Sequence, residues 1–213
     1  LLSLLLGIQP ITTDLYLPAL PALTEGFGAS MAQSQLTLSA LLLAFGVSQL
    51  FWGPLSDRFG RRPILLCGMA AYVVAAVGSA FAPSMALLIV WRIVQGAAMG
   101  AAVMCARAIV RDLYTPLSAA RAMSRGLTGL GVIACLSAPL GGLLSDLFGW
   151  RVALLATAVF GAVALAVVAL HVGLIWALQS GLLMRTAELI VPVEVLAQFI
   201  EPPQPIQEPV PPA

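Results

Sequence analysis

Two charged residues within apolar stretches are the first candidates for chemistry in this sequence. Asp14 is the only acid in or beside any of the apolar spans, so it is the one carboxyl there that could bind a proton or a cationic compound. It could equally cap the outer end of a helix. Arg92 lies about eight residues into another apolar stretch, and because burying an arginine is costly, it should face a polar cavity or a partner rather than lipid. Snorkelling to the membrane interface is the alternative for Arg92.

A third candidate is the charged segment that reads Gly-Pro-Leu-Ser-Asp-Arg-Phe-Gly-Arg-Arg-Pro over residues 53–63. Its glycines and prolines permit a tight turn. Asp57 can pair with an arginine or cap helix-end N–H groups, and the arginines can hold anionic lipid headgroups. Taken as loop chemistry alone, the segment could also be a simple topology anchor.

The composition indicates the medium in which these residues work. Of the 213 residues, 61% are hydrophobic and 9% are charged, and the mean hydropathy is +1.02. The charged share is about a third of that in soluble proteins, which indicates an integral membrane protein. A net charge of +1 argues against nucleic-acid binding. Cys67, Cys105 and Cys135 fall within apolar stretches, so we expect small packing residues rather than a disulfide framework.

Six apolar stretches fit membrane crossings, for which a helix needs about 20 residues. They cover residues 1 to about 15, 33–51, 64–81, 85–104, 126–144 and 152 to about 172. All six are expected to be helices, because lipid permits only helices or closed barrels and runs such as residues 70–77 lack the alternation of a barrel strand. The predicted fold class is an all-α membrane protein.

The distribution of arginines, which supply all ten basic residues, predicts the orientation. The opposite face carries Arg151 together with Asp14, Glu25 and Asp146. By the positive-inside rule, the two arginine-rich loops after the second and fourth spans are cytoplasmic. These loops hold Arg58, Arg61, Arg62, Arg107, Arg111, Arg121 and Arg125.

Both ends of the chain depart from the pattern of the spans. The first span keeps about 15 residues, or ~22 Å of helix against a ~30 Å core, so we expect its beginning to be missing. Residues 152–184 carry no charge over a length that fits neither one crossing nor two, and residues 201–213 form a proline-rich acidic tail that cannot build a packed core. We therefore predict a six-helix domain over 1–172 and a divergent tail over 173–213, disordered at its end.

The chain also resembles itself at an offset of 89 residues. Segments 53–66 and 142–155 agree at nine of fourteen positions, including an Asp, a Phe, a Gly and an Arg. Because the repeated unit holds three crossings, the two copies lie in opposite orientations, as a 3+3 inverted repeat typical of secondary transporters. The alternative is that Gly, Ser and Asp recur in any tight loop.

Two of these motifs resemble signatures of the major facilitator superfamily. The 53–63 segment resembles the signature between its second and third helices, which implies a cytoplasmic gate. The stretch around Arg92 resembles the fourth-helix motif, in which an Arg is followed by Gln-Gly. The residues that match are Gly53, Asp57, Arg58, Gly60, Arg61 and Arg62 for the gate, and Arg92, Gln95 and Gly96 for the fourth helix.

Two further stretches narrow the resemblance to a branch of that superfamily. Ala138-Pro139-Leu140-Gly141-Gly142 is similar to the fifth-helix motif of its drug:proton antiporters, with Ala138 where the broad pattern has Gly; glycine-rich helix packing is the alternative. Residues 11–21 resemble the first-helix signature of the Bcr/CflA (bicyclomycin-resistance-like) multidrug efflux group. The resemblance covers roughly residues 8–170 and implies the N-terminal half of a major facilitator fold.

The resemblance implies a secondary active transporter of the bacterial inner (plasma) membrane that exports amphipathic small molecules in exchange for protons. Asp14 would carry or respond to the proton, and Arg92 would modulate its proton affinity by charge. Pro139, Gly141 and Gly142 would set the bend that favours antiport. Weaker candidates for lining the cavity are Gln9, Thr13, Gln35, Gln49 and Gln95.

The expected partners are membrane lipid, substrates and protons, and a second six-helix half, with no cofactor, metal or nucleic acid. The single histidine has no catalytic or metal-binding neighbours in sequence, and the chain contains neither lysine nor a phosphate-binding loop, so we expect no enzyme. The chain could be part of a full transporter, a half that pairs with another half, or a functionless remnant. The alternative function is a non-transporting membrane scaffold or inactive fragment whose helices pack with a partner.

Overall fold

The computed structural model describes residues 1–180. The candidate site lies in the compact unit Leu1–Leu170. The predicted proline-rich tail over 201–213 lies outside the described residues, as does most of the predicted second domain. Seven α-helices and one short 3-10 helix account for nearly all of the described chain. They are α1 (Leu2–Asp14), the 3-10 helix (Leu17–Ala19), α2 (Leu20–Phe27), α3 (Met31–Phe59), α4 (Arg61–Ala80), α5 (Met85–Leu113), α6 (Pro116–Phe148) and α7 (Trp150–Gln179).

Local sequence signals determine where the helices begin and end. The Ser30 hydroxyl accepts from the Gln33 N–H at 3.3 Å and the Gln33 side chain accepts from the Ser30 N–H at 3.0 Å, a reciprocal cap that starts α3. Pro116 opens α6, where its missing N–H costs nothing. Single glycines, Gly60 at φ 91° and Gly149 at φ 87°, separate α3 from α4 and α6 from α7, because other residues rarely adopt such backbone angles.

The protein is a multi-pass membrane protein. Five of the described helices, α3 to α7, are long and apolar enough to cross a membrane. The most apolar stretches of α3 and α6 are only 22% and 11% buried within the chain, which leaves their side chains for lipid or a partner. The remaining predicted crossing contains α1, whose 13 residues end at a break before the 3-10 helix.

Small residues bring the helices into close contact. α1 packs on α6, where Gly7 lies against Ile133, Gly126 against Leu2 and Gly129 against Ser3. α5 packs on α3 and α4, and the Cβ position of Gly68 in α4 is already filled by Ala101 of α5. Such contacts allow close backbone approach, which drives helix association in lipid.

Several sequence-based expectations about helix ends and residues were wrong. The helices extend beyond the predicted spans, so the predicted arginine-rich loops shrink to Gly60 and to residues 114–115, and all seven of their arginines lie within helices. At ~1.5 Å per residue, the 29 residues of α5 span ~44 Å, more than the ~30 Å hydrocarbon core, and arginine is a good helix former. Asp14 is consequently not the only acid in the helices that contain the spans. Three others lie near helix ends, Asp57 in α3, Asp112 in α5 and Asp146 in α6.

Two smaller expectations also need correction. The short helix α2 was not predicted, because Pro21 and Gly26 in its sequence suggested a loop. All three cysteines are free, but only Cys105 is buried, whereas Cys67 and Cys135 are exposed. The latter two therefore contribute little to packing within the chain.

The predicted repeat has a counterpart in the backbone. An offset of 89 places Met31–Phe59 on residues 120–148 of α6 and Arg61–Ala80 on residues 150–169 of α7. The same offset places Gly60 on Gly149, the two positive-φ glycines that join consecutive helices. The six predicted spans thus form two sets of three, α1, α3 and α4 followed by α5, α6 and α7.

Candidate functional site

The site forms where α1 breaks. α1 ends at Asp14, and Pro18 lacks the N–H that would otherwise bond the main-chain oxygen of Asp14. Residues 15 and 16 turn the chain into the 3-10 helix. The last turn of α1 therefore presents carbonyl oxygens without partners within the helix, and these carry a partial negative charge.

Arg92 of α5 lies against this end of α1. Its side chain is fully buried. Nη2 donates to the main-chain oxygen of Thr12 at 3.3 Å, Nη1 donates to Oε1 of Gln95 at 2.9 Å, and the guanidinium lies 4.0 Å from the centre of the Tyr16 ring. Nε has no hydrogen-bond partner. A helix end and an aromatic face thus surround the charge with partial negative charge, in place of a carboxylate.

Buried hydroxyl groups connect this arginine to four other helices. The Tyr16 hydroxyl is 2.7 Å from Thr37 Oγ1 of α3, and Thr12 Oγ1 is 2.6 Å from the Tyr72 hydroxyl of α4. Gln95 passes the connection to α7 by donating to Thr157 Oγ1 at 3.3 Å. In a low-dielectric interior such a network restrains its members, although Arg92 Nε has no partner in it.

Asp14 is half-buried beside this cluster without joining it. The Thr13 hydroxyl donates to Asp14 Oδ1 at 2.7 Å, and its contact with the main-chain oxygen of Gln9 is longer, at 3.1 Å. Within residues 1–180 Asp14 forms no ion pair, so the structure does not bring Asp14 and Arg92 into direct contact. The two charges are separated by the end of α1, because Arg92 contacts Thr12.

One glycine of the fourth-helix motif, Gly96, and one of the predicted antiporter motif, Gly141, lie at backbone contacts. A side chain at Gly96 of α5 would collide with the main-chain oxygen of Leu41 in α3, and one at Gly141 of α6 would collide with that of Leu15. Leu15 follows Asp14 directly, so the predicted antiporter motif touches the break in α1. Gly142 is less confined, because a Cβ at this position would lie 3.8 Å from its nearest neighbour, Pro18. Pro139 lies inside α6, which continues through it.

The predicted gate segment forms a charged network at the opposite end of the helices. Arg61 pairs with Asp57 at 2.5 Å and with Asp112 of α5 at 3.0 Å, and it also donates to the Ser56 hydroxyl. Arg58 and Arg62 are exposed and form no ion pair within the described chain. Gly53 lies near Met104 of α5. Arg61 thereby links three helices, α3, α4 and α5.

The candidate cavity residues do not form one group. Gln95 is buried in the cluster, Gln9 and Gln49 are half-buried, and Gln35 is exposed on α3. Thr13 binds Asp14 instead. Among residues 1–180, no group of three His, Cys, Asp or Glu side chains could hold a metal ion.

Six residues at the two ends of the helices were not predicted from the sequence. Thr12 and Tyr16 contact Arg92 directly, and Asp112 pairs with Arg61. The other three bind the neighbours of Arg92, and they are Thr37, Tyr72 and Thr157. A buried arginine signals that hydroxyls and rings in other spans must approach it, but the sequence does not say which. Chemically, the site offers a buried positive charge at the end of α1 and, two residues beyond the main-chain oxygen that it contacts, a half-buried carboxyl.

Comparison with known proteins places the chain in a family. The family profile described as Major Facilitator Superfamily matches residues 2–181. The solved structure of the MFS proton:xylose symporter XylE bound to 6-bromo-6-deoxy-D-glucose aligns with a TM-score of 0.67 at 17% identity, over 78% of this chain and 42% of that one. That likeness shows the fold.

Curated relatives carry names of drug-resistance proteins. Multidrug resistance protein D of Escherichia coli (strain K12) is 34% identical over 71% of this chain and 38% of its own length. Chloramphenicol resistance protein of Pseudomonas aeruginosa is 39% identical over 65% and 33%, and Bicyclomycin resistance protein homolog of Haemophilus influenzae is 32% identical over 78% and 42%. The chain therefore spans less than half the length of each of these relatives.

Proposed function

Because the chain belongs to the Major Facilitator Superfamily, as its motifs predict, we propose that it is the N-terminal half of an exporter that exchanges amphipathic drugs for protons across a bacterial inner membrane. The names of the relatives, which include multidrug, chloramphenicol and bicyclomycin resistance proteins, support this substrate class. The positive-inside distribution of arginines supports a cytoplasmic position for the end that carries Arg61.

One observation carries the proposal: Arg92 is fully buried with no carboxylate partner in the described part of the chain. A buried charge in a membrane-spanning segment that lacks an opposite charge is expensive and points to a functional site. The charge lies at the end of α1, two residues before Asp14. A fixed cation there acts by charge on nearby groups, even without direct contact.

In the proposed cycle, Asp14 accepts a proton from the outer side and releases it inward, while a cationic or amphipathic compound leaves when the carboxyl is protonated. The Thr13 hydroxyl donates to Asp14 Oδ1 at 2.7 Å and holds the carboxyl at the end of α1. Arg92 stays charged throughout, because guanidinium groups do not lose their proton in proteins.

The two other motifs would couple this site to movement of the helices. Contact between Gly141 and Leu15 would transmit movement of α6 to the break beside Asp14. At the cytoplasmic end, the pairs of Arg61 with Asp57 and Asp112 would latch α3, α4 and α5 together in one state and release them in another. Exposed pairs of this kind contribute little energy, which suits a contact that must open.

A second six-helix half is part of the proposal. Alternating access in this kind of transporter comes from one half rocking against the other around a central site. The second half would be supplied by the remainder of a longer chain or by another half-chain. The exposed faces of α3 and α6 leave room for such a partner or for lipid.

The test is proton-driven uptake of chloramphenicol into inverted membrane vesicles that contain the 213-residue chain. Three proteins are compared: the unaltered chain, Asp14→Asn, and Asp146→Asn as matched control. Asp146 is an exposed acid on the same predicted face, so its replacement removes the same charge away from the break in α1. Insertion of each protein is verified by protection of Cys67 and Cys135, which lie within membrane-spanning helices, from a membrane-impermeant thiol reagent.

We expect uptake by the unaltered chain and by the control, and at least tenfold less by Asp14→Asn. Equal uptake by all three proteins would refute coupling through Asp14. No uptake by any inserted protein would refute transport by this chain alone and favour a scaffold or a half that works only with its second half.

A further inference from the structure

A cavity separate from the proposed transport site opens where α5 meets α6. It has a volume of about 460 Å³, within the range of small-molecule sites. The last two turns of α5 and the first two turns of α6 form its walls. They contribute Arg107, Val110, Arg111, Tyr114, Pro116, Ala119 and Met123. The cavity thus combines two guanidinium groups and a phenol with apolar walls.

Positive charge at this end of the helices is poorly balanced. Asp57 and Asp112 are the only acids on it within residues 1–180, and both pair with Arg61. Arg107 forms no ion pair among the described residues. Arg111 is 69% exposed and forms a long pair, at 3.7 Å, with Asp112, which Arg61 binds more closely at 3.0 Å. The cavity therefore offers the unpaired guanidinium of Arg107 and the weakly paired one of Arg111 to an anion.

The position of the cavity along α5, beyond the hydrocarbon core, suits a lipid headgroup. The ~44 Å of α5 exceeds the ~30 Å hydrocarbon core by about nine residues. Arg107 and Arg111 lie six and two residues before the end of α5 at Leu113. Leu113 and Leu117, which flank the junction, are 72% and 66% exposed, as side chains that face lipid would be.

We propose that this cavity binds the headgroup of an anionic phospholipid from the cytoplasmic leaflet. Arg107 and Arg111 contact the phosphate, the Tyr114 hydroxyl donates to a headgroup oxygen, and the first part of an acyl chain follows Val110, Ala119 and Met123. Basic pockets between helices on the cytoplasmic side select anionic lipids by charge. A free phosphate would use the arginines but leave the apolar wall uncovered, so a phospholipid fits the whole cavity better. The site is independent of the proposed transport function.

Native mass spectrometry of the 213-residue chain in detergent measures this directly. Dioleoylphosphatidylglycerol is titrated against dioleoylphosphatidylcholine, which has the same acyl chains and no net charge. Arg107→Gln with Arg111→Gln removes the two cavity charges, and Arg62→Gln with Arg121→Gln removes two exposed charges at the same end outside the cavity. Ala119→Phe fills the apolar wall without changing charge. Far-UV circular dichroism verifies the helicity of every variant.

We expect phosphatidylglycerol to bind at least tenfold more tightly than phosphatidylcholine. The cavity double variant should lose about 30-fold in affinity, which is ~1 kcal/mol for each arginine, and Ala119→Phe should lose a similar amount. The control double variant should lose less than threefold. Higher ionic strength should weaken binding, because these charges are exposed to screening.

Three results would overturn the proposal. Equal affinity for the two lipids would remove the charge selectivity, and an equal loss in both double variants would show a diffuse electrostatic effect. The third result combines full displacement of the lipid by about 10 mM inorganic phosphate with no effect of Ala119→Phe. It would assign the cavity to free anions, which bind by charge alone.

Discussion

Replacing Arg92 with methionine tests whether the buried charge serves stability or transport. The side chain is fully buried, and methionine has a similar unbranched shape without charge. The structure predicts an unusual order of effects: losing the arginine should destabilise the protein less than losing its neutral partner Gln95. The reason is that Gln95→Leu keeps the charge buried and removes the acceptor for Nη1.

The magnitudes follow from the contacts. Arg92→Met loses two charge-assisted hydrogen bonds, at about 1.5–3 kcal/mol each, and a cation–π contact of about 2 kcal/mol. It also removes the cost of burying the guanidinium, which is several kcal/mol after relaxation. These opposing terms leave a net change within about 2 kcal/mol of zero. Gln95→Leu should cost about 3 kcal/mol, because a buried charge that loses a partner is left uncompensated.

Reversible unfolding in mixed micelles, with increasing mole fraction of sodium dodecyl sulphate and circular dichroism as the signal, measures both changes. The double variant completes the cycle. Once the charge is gone, Gln95→Leu should cost ~2 kcal/mol less than it does with Arg92 present, since the two residues are in direct contact. Proton-driven uptake by Arg92→Met, measured in the vesicles described above, should fall at least tenfold although the protein stays folded.

The reasoning fails if Arg92→Met destabilises the protein by more than Gln95→Leu does. Such a result would mean that the guanidinium mainly stabilises the fold, and its burial would no longer indicate a transport role. A coupling energy below about 0.5 kcal/mol would also count against it, because the hydrogen bond at 2.9 Å would then contribute nothing measurable.

Two further predictions concern glycines. Gly60→Ala and Gly149→Ala should each lower the free energy of unfolding by about 1–3 kcal/mol, because both backbones have φ near +90°. The same unfolding assay compares them with Gly131→Ala, a helical position with open space around it, and a loss no larger than in that control would contradict the strain argument. Gly141→Ala should lower the free energy of unfolding by about 1–3 kcal/mol and reduce uptake, because its Cβ would collide with the main chain at Leu15. Gly142→Ala should be tolerated, and equal behaviour of the two variants would show that the contact at the break in α1 is unimportant.

The apolar runs predicted the helices well but not their ends. A run of apolar residues marks the segment inside lipid, whereas a helix continues through polar residues until a cap, a proline or a strained glycine stops it. Arg107 and Arg111 were therefore assigned to a loop although they extend α5. Gly60 and Gly149 could be predicted as turns, because the repeat places them at the same point of two helix pairs.

The partner of Arg92 could not be predicted in the same way. The sequence suggested that Arg92 acts on Asp14, since these are the charges visible in the apolar stretches. The structure places the guanidinium on the main-chain oxygen of Thr12 and the ring of Tyr16, 80 and 76 residues away in the chain. A helix end carries partial charge only once the helix has formed and broken, so no residue type in the sequence announces it.

The two copies of the repeat separate what the fold requires from what the proposed function requires. Both copies keep the joining glycine with positive φ and the acid three residues before it, Asp57 and Asp146. Only the first copy keeps Arg61, which binds Asp57 and Asp112. In the second copy Trp150 takes the equivalent position and packs against Phe27, with ring centres 5.1 Å apart.

The charges of the first copy therefore go beyond what a helix joint needs, because the second copy forms the same joint without them. Asp146 has no ion pair in the part of the chain that the structure describes. The same comparison applies to the proposed transport site: the offset of 89 places Asp14 on Val103 and Arg92 on Ser3, so neither charge has a repeated counterpart. The two copies of one scaffold thus carry charge at different places, and the charges of the proposed transport site are not part of what the copies share.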